Sequence, residues 1–192
     1  MSLKGVKIGY CLTGSFCTFD KAFVSAQALA DLGAELVPIM SFNAASMSTR
    51  FGTAEENVKR LEQIAGRKVI MTIEDAEPIG PKGLCDIMAV APCTSNTAAK
   101  LAAGIVDTPA AMAVKSHIRN ERPVVIAIST NDALAACAAN IGKLQSMRHY
   151  YFVPYGQDNF EAKPRSAVAD FSLLPETVEA ALAGRQLQPM LI

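Results

Sequence analysis

The sequence predicts an α/β protein, a single domain over residues 1–192 with a mainly parallel sheet and helices on both faces. Three observations predict it. Short continuous apolar runs, the mark of strands buried on both faces, alternate with segments of helical period from residue 6 to residue 153. Three of those runs end in small polar residues placed between a strand and a helix, so their turns leave the carboxyl ends of strands on one edge of the sheet. With 192 residues, 51% hydrophobic and 19% charged, the chain is long enough for one well-buried core and short for two.

Residues 6–12 are an apolar run broken by Gly9 and read as the first strand. Thr13, Gly14 and Ser15 make a tight turn, after which Phe19, Phe23, Ala26 and Ala30 recur at helical spacing. Gly14 lets backbone approach a ligand closely and Ser15 can cap the helix or donate to a phosphate, although any strand-to-helix turn uses such residues. Residues 35–41 are the second strand, ending at Ser41. Pro38 within it cannot donate to a ladder, which requires an irregular ladder or an edge position. Thr53 and Glu56 have the spacing of a capping box, and Val58, Leu61 and Ile64 give the following helix one apolar face up to Gly66. Residues 68–73 read as another strand, and 74–83 as a loop punctuated by Pro78, Gly80, Pro81 and Gly83.

Residues 86–107 run from strand to turn to helix without interruption. The apolar run 86–91 is a buried strand, Pro92 ends the ladder, and Thr94, Ser95, Asn96 and Thr97 form a polar turn. A helix follows from Ala98 to Ala103, with Gly104 as its stop. Such a junction places helix N–H groups and side-chain donors where anions and flat cofactors bind in open α/β folds, and the same residues equally serve as plain helix caps. Residues 109–120 are a helix with a proline start, and Lys115, His117 and Arg119 concentrate positive charge in its last turns. They suit a dicarboxylate, or the cations that complete a helix C-terminus. Residues 123–129 are the next buried strand. It runs through Thr130, Asn131 and Asp132 into a helix with Leu134, Cys137, Ile141 and Leu144 on one face. Residues 150–153 are a last strand, 154–166 a loop holding Asp158 and Lys163, and 175–184 a short helix. The apolar tail 186–192 is expected to dock on another copy of the chain or on a partner.

Eighteen basic and eighteen acidic residues leave no net field for nucleic acid or an anionic membrane. Cys11, Cys17, Cys85, Cys93 and Cys137 have no paired spacing and read as reduced thiols, with no metal site. No apolar run is long enough to span a bilayer, so a cytoplasmic location is expected.

The segment Ala91-Pro92-Cys93-Thr94-Ser95-Asn96-Thr97-Ala98-Ala99-Lys100 resembles the Ala-Pro-x-[Ser/Thr]-x-Asn-Thr-x-Ala-Lys segment of the flavoprotein family that includes the phosphopantothenoylcysteine and lantibiotic cysteine decarboxylases. Leu12-Thr13-Gly14-Ser15, with Lys21 further on, is similar to the turn that opens the same family. The likeness covers nearly the whole chain, including Val153-Pro154-Tyr155-Gly156-Gln157-Asp158 and Gln186-Leu187-Gln188-Pro189. It implies a three-layer, Rossmann-like flavoprotein fold and an FMN site. Gly14, Ser15 and Ser41 would face the phosphate, Pro92, Thr94, Ser95, Asn96 and Thr97 the phosphate and ring, and Ser129, Thr130 and Asn131 the ring. Trimers or multiples of trimers are implied as well, and the Ala-rich helices offer small surfaces for them.

Two positions depart from the decarboxylase pattern. The decarboxylases carry a catalytic His just before the strand leading to the Asn-Thr loop, and here Ala76-Glu77-Pro78-Ile79 stands in its place. Their Pro-Ala-Met-Asn motif is replaced by Ser129-Thr130-Asn131-Asp132, which keeps only the Asn. A carboxylate does not supply the proton transfers of imidazole near neutral pH unless its pKa is raised, so decarboxylation is in doubt and the scaffold is expected to run another reaction. Glu77 and His117 are the catalytic candidates. The resemblance implies oxidation of a small dihydro-dicarboxylate in a sporulating bacterium, with Lys115, His117 or Arg119 on the substrate carboxylates. A second, dehydrogenase-like subunit supplying NADP is implied too. The alternatives are a flavin-dependent decarboxylase and a non-catalytic structural subunit.

Overall fold

Two apolar runs with no exposed residue set the centre of the sheet: β3 (Ile87–Cys93) and β4 (Val124–Thr130). Strands buried on both faces need helices above and below, and the computed structural model, which describes residues 2–192, has that arrangement. In chain order the remaining elements are β1 (Lys7–Leu12), α1 (Phe19–Asp31), β2 (Glu35–Met40), α2 (Phe42–Ser46), α3 (Ala54–Ala65) and α4 (Ile73–Ala76) before β3. Then come α5 (Ser95–Ala103), α6 (Pro109–Ile118), β4, α7 (Ala138–Ser146), β5 (Tyr150–Phe152), β6 (Tyr155–Gly156), β7 (Ala167–Ala169) and α8 (Leu174–Leu182). Helices α1, α3 and α8 pack on one side of the sheet and α4 to α7 on the other.

The parallel strands lie in the order β2-β1-β3-β4, with β5 parallel to the first residues of β4. Beyond Ile128 that edge passes to β7, which runs antiparallel against Ser129 and Thr130 and carries β6 on its outer side. The order reverses between β1 and β3, and the loops leaving those two strands diverge there to opposite faces. A crevice at the carboxyl edge follows from that topology.

Several local expectations hold for visible reasons. The Thr53 side chain accepts from the Glu56 amide while Glu56 reaches back to the Thr53 amide, and Gly66 closes α3 in a left-handed conformation. Pro38 pairs with Tyr10 in the β1–β2 ladder without loss, because β2 donates to β1 through Glu35 and Ser41. Positions of the opposite parity face outward, as Met40 does in donating to Ile70, so the missing donor of Pro38 faces the edge.

Other elements differ from the sequence reading. Residues 68–73 contribute one bridge, Ile70 to Ile39, and then turn into α4, since Thr72 caps that short helix through the Asp75 amide. The strand through Pro92 continues to Cys93, with a register shift against β4 after Val90. Helix α5 begins at Ser95 because Thr94 accepts from the Thr97 amide as N-cap; Ser95, Asn96 and Thr97 therefore form its first turn rather than a loop. Helix α7 begins only at Ala138, and Leu134 is solvent-exposed. The C-terminal tail docks on its own chain: Gln186 brackets the backbone of Phe152 through both its amide oxygen and nitrogen. Tyr155 then exchanges backbone bonds with Met190 and Ile192.

Candidate functional site

Three loops from three neighbouring strands meet at the carboxyl edge and enclose a cleft of about 540 Å³. That volume falls in the range of small-molecule and cofactor sites. Gly14, Ser15, Phe16 and Cys17 follow β1, Thr94 and Ser95 follow β3, and Ser129 and Thr130 end β4 with Asn131 just beyond it. Arg50 and Phe51, between α2 and α3, wall one side. Asp158, Lys163 and Ser166, on the segment joining β6 to β7, wall the other.

Hydroxyl groups hold these loops together. Thr13, buried at the end of β1, donates from Oγ1 to the Pro92 carbonyl at 2.7 Å and accepts from the Thr94 amide at 3.1 Å, stitching the two loops of the switch point. Ser129 Oγ lies 2.8 Å from Ser15 Oγ and 3.1 Å from Thr18 Oγ1, and Thr18 donates on to the Ser15 carbonyl. Capping occupies the side chain of Thr94, whose Oγ1 accepts from the Thr97 amide and donates to Thr97 Oγ1. The amides of Ser95 and Asn96 then have no intrahelical partner and carry the positive end of the α5 dipole. A Cβ built on Gly14 meets only ordinary contacts, Asn43 at 3.5 Å and the Phe16 ring at 3.7 Å. The missing side chain is therefore not required by packing, and it widens the approach to the backbone.

Of the residues that the sequence assigns to a cofactor, Gly14, Ser15, Thr94, Ser95, Ser129, Thr130 and Asn131 line the cleft, whereas Ser41, Pro92, Asn96 and Thr97 do not. Ser41 caps α2 through the Ala44 amide at 3.4 Å, next to the β1 turn. Pro92 and Thr97 are buried behind the loop, and Asn96 is exposed on the first turn of α5. Lys100, within the same motif, is tied to Asp107 at 2.6 Å and holds α5 to the segment after it. Thr18, Arg50 and Phe51 are not singled out by the sequence, and Thr13 enters there only as part of the turn after β1, without its role as a stitch. Buried hydroxyls are indistinguishable there from solvent-facing ones, and residues 50 and 51 carry no periodic signal.

The structure does not bring Lys115, His117 and Arg119 to the cleft. Lys115 and His117 lie in the last turn of α6 and Arg119 caps its end, just before β4 at the amino edge of the sheet; Lys115 and Arg119 are exposed there. His117 is buried, with Nε2 at 3.2 Å from the Pro123 carbonyl and Nδ1 without a partner among the described residues. Burial pushes its pKa down to about 4. Glu77 is also off the cleft, exposed on a short 3-10 helix whose backbone carbonyl accepts from Ser116.

The His117 geometry fixes the sign of an acid effect. The unfolded chain takes up a proton near pH 6.5 and the folded chain only near 4, so stability is intact above 6.5 and declines as pH falls through that interval. Chemical denaturation at pH 7 and pH 4 is expected to show about 3 kcal/mol of loss from this group, absent in His117→Gln.

Burial likewise raises the thiols of Cys11 and Cys93 and lifts Cys85 to about 12 and Cys137 to about 11, keeping them protonated. No group of three metal-ligating side chains occurs among the described residues, and no helix among them is long and apolar enough to cross a membrane. In the cleft, Asp158 is held below the usual carboxylate range by a hydrogen bond from Ser166 and by the nearby charge of Lys163, 3.4 Å away. The cleft thus offers hydroxyls, helix-end amides and two cations against one carboxylate, a set suited to an anionic, hydrogen-bonding ligand.

Comparison with known proteins agrees with this architecture. The chain is 48% identical over 191 residues to the dipicolinate synthase B subunit of Bacillus subtilis (strain 168), covering 100% of this chain and 96% of that protein. The crystal structure of the dipicolinate synthase B subunit from Bacillus halodurans superposes with a TM-score of 0.92 at 41% identity, covering 100% of this chain and 98% of that one. The FMN-dependent cysteine decarboxylase SpaF shares the fold at a TM-score of 0.69 and 22% identity, with 95% and 98% of the two chains covered. The family model named Flavoprotein matches residues 1–172, and the chain therefore belongs to the flavoprotein family.

Proposed function

We propose that this chain binds FMN in the cleft at the β1/β3 switch point and is the flavin-binding subunit of a dipicolinate synthase. In that role it oxidises dihydrodipicolinate to dipicolinate in a sporulating bacterium, together with a dehydrogenase-like A subunit that supplies NADP. The observation that carries this reading is the convergence of the Gly14-Ser15, Thr94-Ser95 and Ser129-Thr130-Asn131 turns on one cleft, in a chain 48% identical along its length to a dipicolinate synthase B subunit. The donor set fits the cofactor. A phosphate dianion would be held by the opened backbone at Gly14, the Ser15 hydroxyl and the amides that begin α5, while Ser129, Thr130 and Asn131 would suit the heteroatom edge of a flavin ring. When bound, FMN supplies a two-electron acceptor for the hydride that substrate loses on aromatisation.

The chain's own part is to position and to enclose. Thr13 locks the β1 and β3 turns into one surface, and Ser129 locks the β4 turn to Ser15, so the donors are in place before a ligand arrives. The cleft opens at the edge of the sheet, and a neighbouring copy in a trimer or multiple of trimers would close it against water. Neither Glu77 nor His117 lines the cleft, which gives no support to a decarboxylase using them within one chain. Dihydrodipicolinate oxidation, assayed with the two subunits separately and then together, is expected to need this chain. Full activity of the dehydrogenase-like partner on its own would contradict the catalytic claim and leave a structural role.

A further inference from the structure

Between α2 and α3 the chain makes a two-residue tip that no secondary-structure periodicity demands. Thr49 and Gly52 exchange backbone hydrogen bonds of 3.0 and 3.2 Å, leaving Arg50 and Phe51 as the central pair. The base of the tip is pinned on both sides. The Phe51 amide donates to Thr49 Oγ1 at 3.1 Å, and the Ala54 amide donates to Ser48 Oγ at 3.0 Å just before the capped start of α3. Gly52, at φ 131°, lies against the buried Asn57 side chain, a backbone conformation that residues with a Cβ rarely adopt.

This anchored tip presents its two side chains to the cleft. Phe51 is 47% exposed, and the Arg50 guanidinium stands over it at 4.8 Å from the ring centre. Two cations line the cleft, and they are not equivalent. Lys163 is paired with Asp158, whereas Arg50 has no carboxylate partner among the described residues. In sheet order the tip sits on the β2 side of the three cofactor turns and Lys163 on the β7 side, so Arg50 brings an uncompensated, planar fork of donors to one flank of the cleft.

We propose that the Arg50–Phe51 tip is the substrate-recognition element of this site: Arg50 pairs through its guanidinium with one carboxylate of a planar pyridine-type dicarboxylate, and Phe51 covers the face of its ring. The inference rests on the proposed function above. Guanidinium matches a carboxylate through two parallel hydrogen bonds, and an exposed aromatic beside it gives a flat ring an apolar wall at small conformational cost. In the proposed site the cofactor phosphate would take its donors from the Gly14, Ser15 and α5 amides, which leaves the tip for the second ligand.

The test uses the complete two-component synthase and the variants Arg50→Gln, Arg50→Lys and Phe51→Ala. Michaelis parameters are measured for dihydrodipicolinate, dissociation constants for dipicolinate by calorimetry, and FMN affinity by fluorescence titration. Arg50→Gln is expected to raise the KM for dihydrodipicolinate and the Kd of dipicolinate by about tenfold or more, with kcat and FMN affinity little changed. Arg50→Lys is expected to fall between, since it keeps the charge and loses the fork. Phe51→Ala is expected to raise both constants without changing the FMN titration. An active wild type with unchanged KM in Arg50→Gln overturns the inference alone, as does a loss of FMN affinity in place of dicarboxylate affinity. A wild type that takes up no FMN or leaves dihydrodipicolinate unoxidised overturns the reading beneath it.

Discussion

Gly80→Ala is expected to destabilise the protein by about 4 kcal/mol or more, or to prevent folding, whereas Gly9→Ala is expected to be far milder. Gly80 has φ −74°, a conformation open to any residue, so space alone demands the glycine. An added Cβ would sit 1.8 Å from the Ser116 backbone oxygen and 2.5 Å from its carbonyl carbon, atoms fixed within α6. The same approach carries hydrogen bonds from the Gly80 amide to Ser116 Oγ at 2.7 Å and from Asn120 to the Gly80 carbonyl at 2.8 Å, so relief by displacement would break them. At Gly9 the conflict is with Met88 Sδ at 2.1 Å, the far end of a flexible side chain that can choose another rotamer. Urea denaturation of the two variants beside the wild type measures the contrast. Equal midpoints for Gly80→Ala and wild type would contradict the close packing of the 77–80 turn on α6.

Thr13→Val is expected to cost about 2–3 kcal/mol and to weaken FMN binding severalfold, although the side chain keeps its shape. The substitution leaves the buried Pro92 carbonyl without its partner, worth roughly 1–3 kcal/mol when orphaned, and frees the Thr94 amide, which is half-buried at the cleft wall where water offsets part of the loss. It also unties the β1 turn from the β3 turn, so the two halves of the proposed phosphate site no longer hold one geometry. Thr13→Ser keeps the hydroxyl and is expected to retain most of both properties. Thermal unfolding and FMN titration of the pair provide the comparison, and a Val variant that matches the Ser variant would contradict the stitch.

Much of the fold is legible in the sequence because its strands are buried on both faces. Continuous apolar runs such as residues 87–91 and 124–128 have no other economical placement, and the Thr53–Glu56 box and Gly66 mark α3 by local chemistry alone. Short elements are not legible in this way. Five residues of α2, three of β7 and two of β6 are too few to show a period, and the 68–73 segment has strand composition but only Ile70 within reach of β2. The first turn of α5 is read as a loop because Ser, Asn and Thr favour both, and only the Thr94 hydrogen bond decides it.

In the site, the polar turns are visible as sequence. The inward-facing roles of Thr13, itself part of such a turn, and of Thr18 are not, since periodicity does not say which hydroxyl faces inward. The placement of Lys115, His117 and Arg119 depends on which edge of the sheet the end of α6 reaches, a property of the tertiary path that no local pattern carries. Arg50 and Phe51 enter for the same reason: the hydrogen bonds of Thr49 and Gly52, not a motif, aim them at the cleft.

Equilibrium titration of the purified chain with FMN, followed by absorbance and flavin fluorescence, tests the central claim most directly. The expected result is saturable uptake approaching one FMN per chain, with a fluorescence change that marks a ring removed from bulk water. A chain that neither carries nor takes up FMN, whether on its own or mixed with the proposed dehydrogenase-like subunit, would contradict the assignment of the β1/β3 crevice as a flavin site.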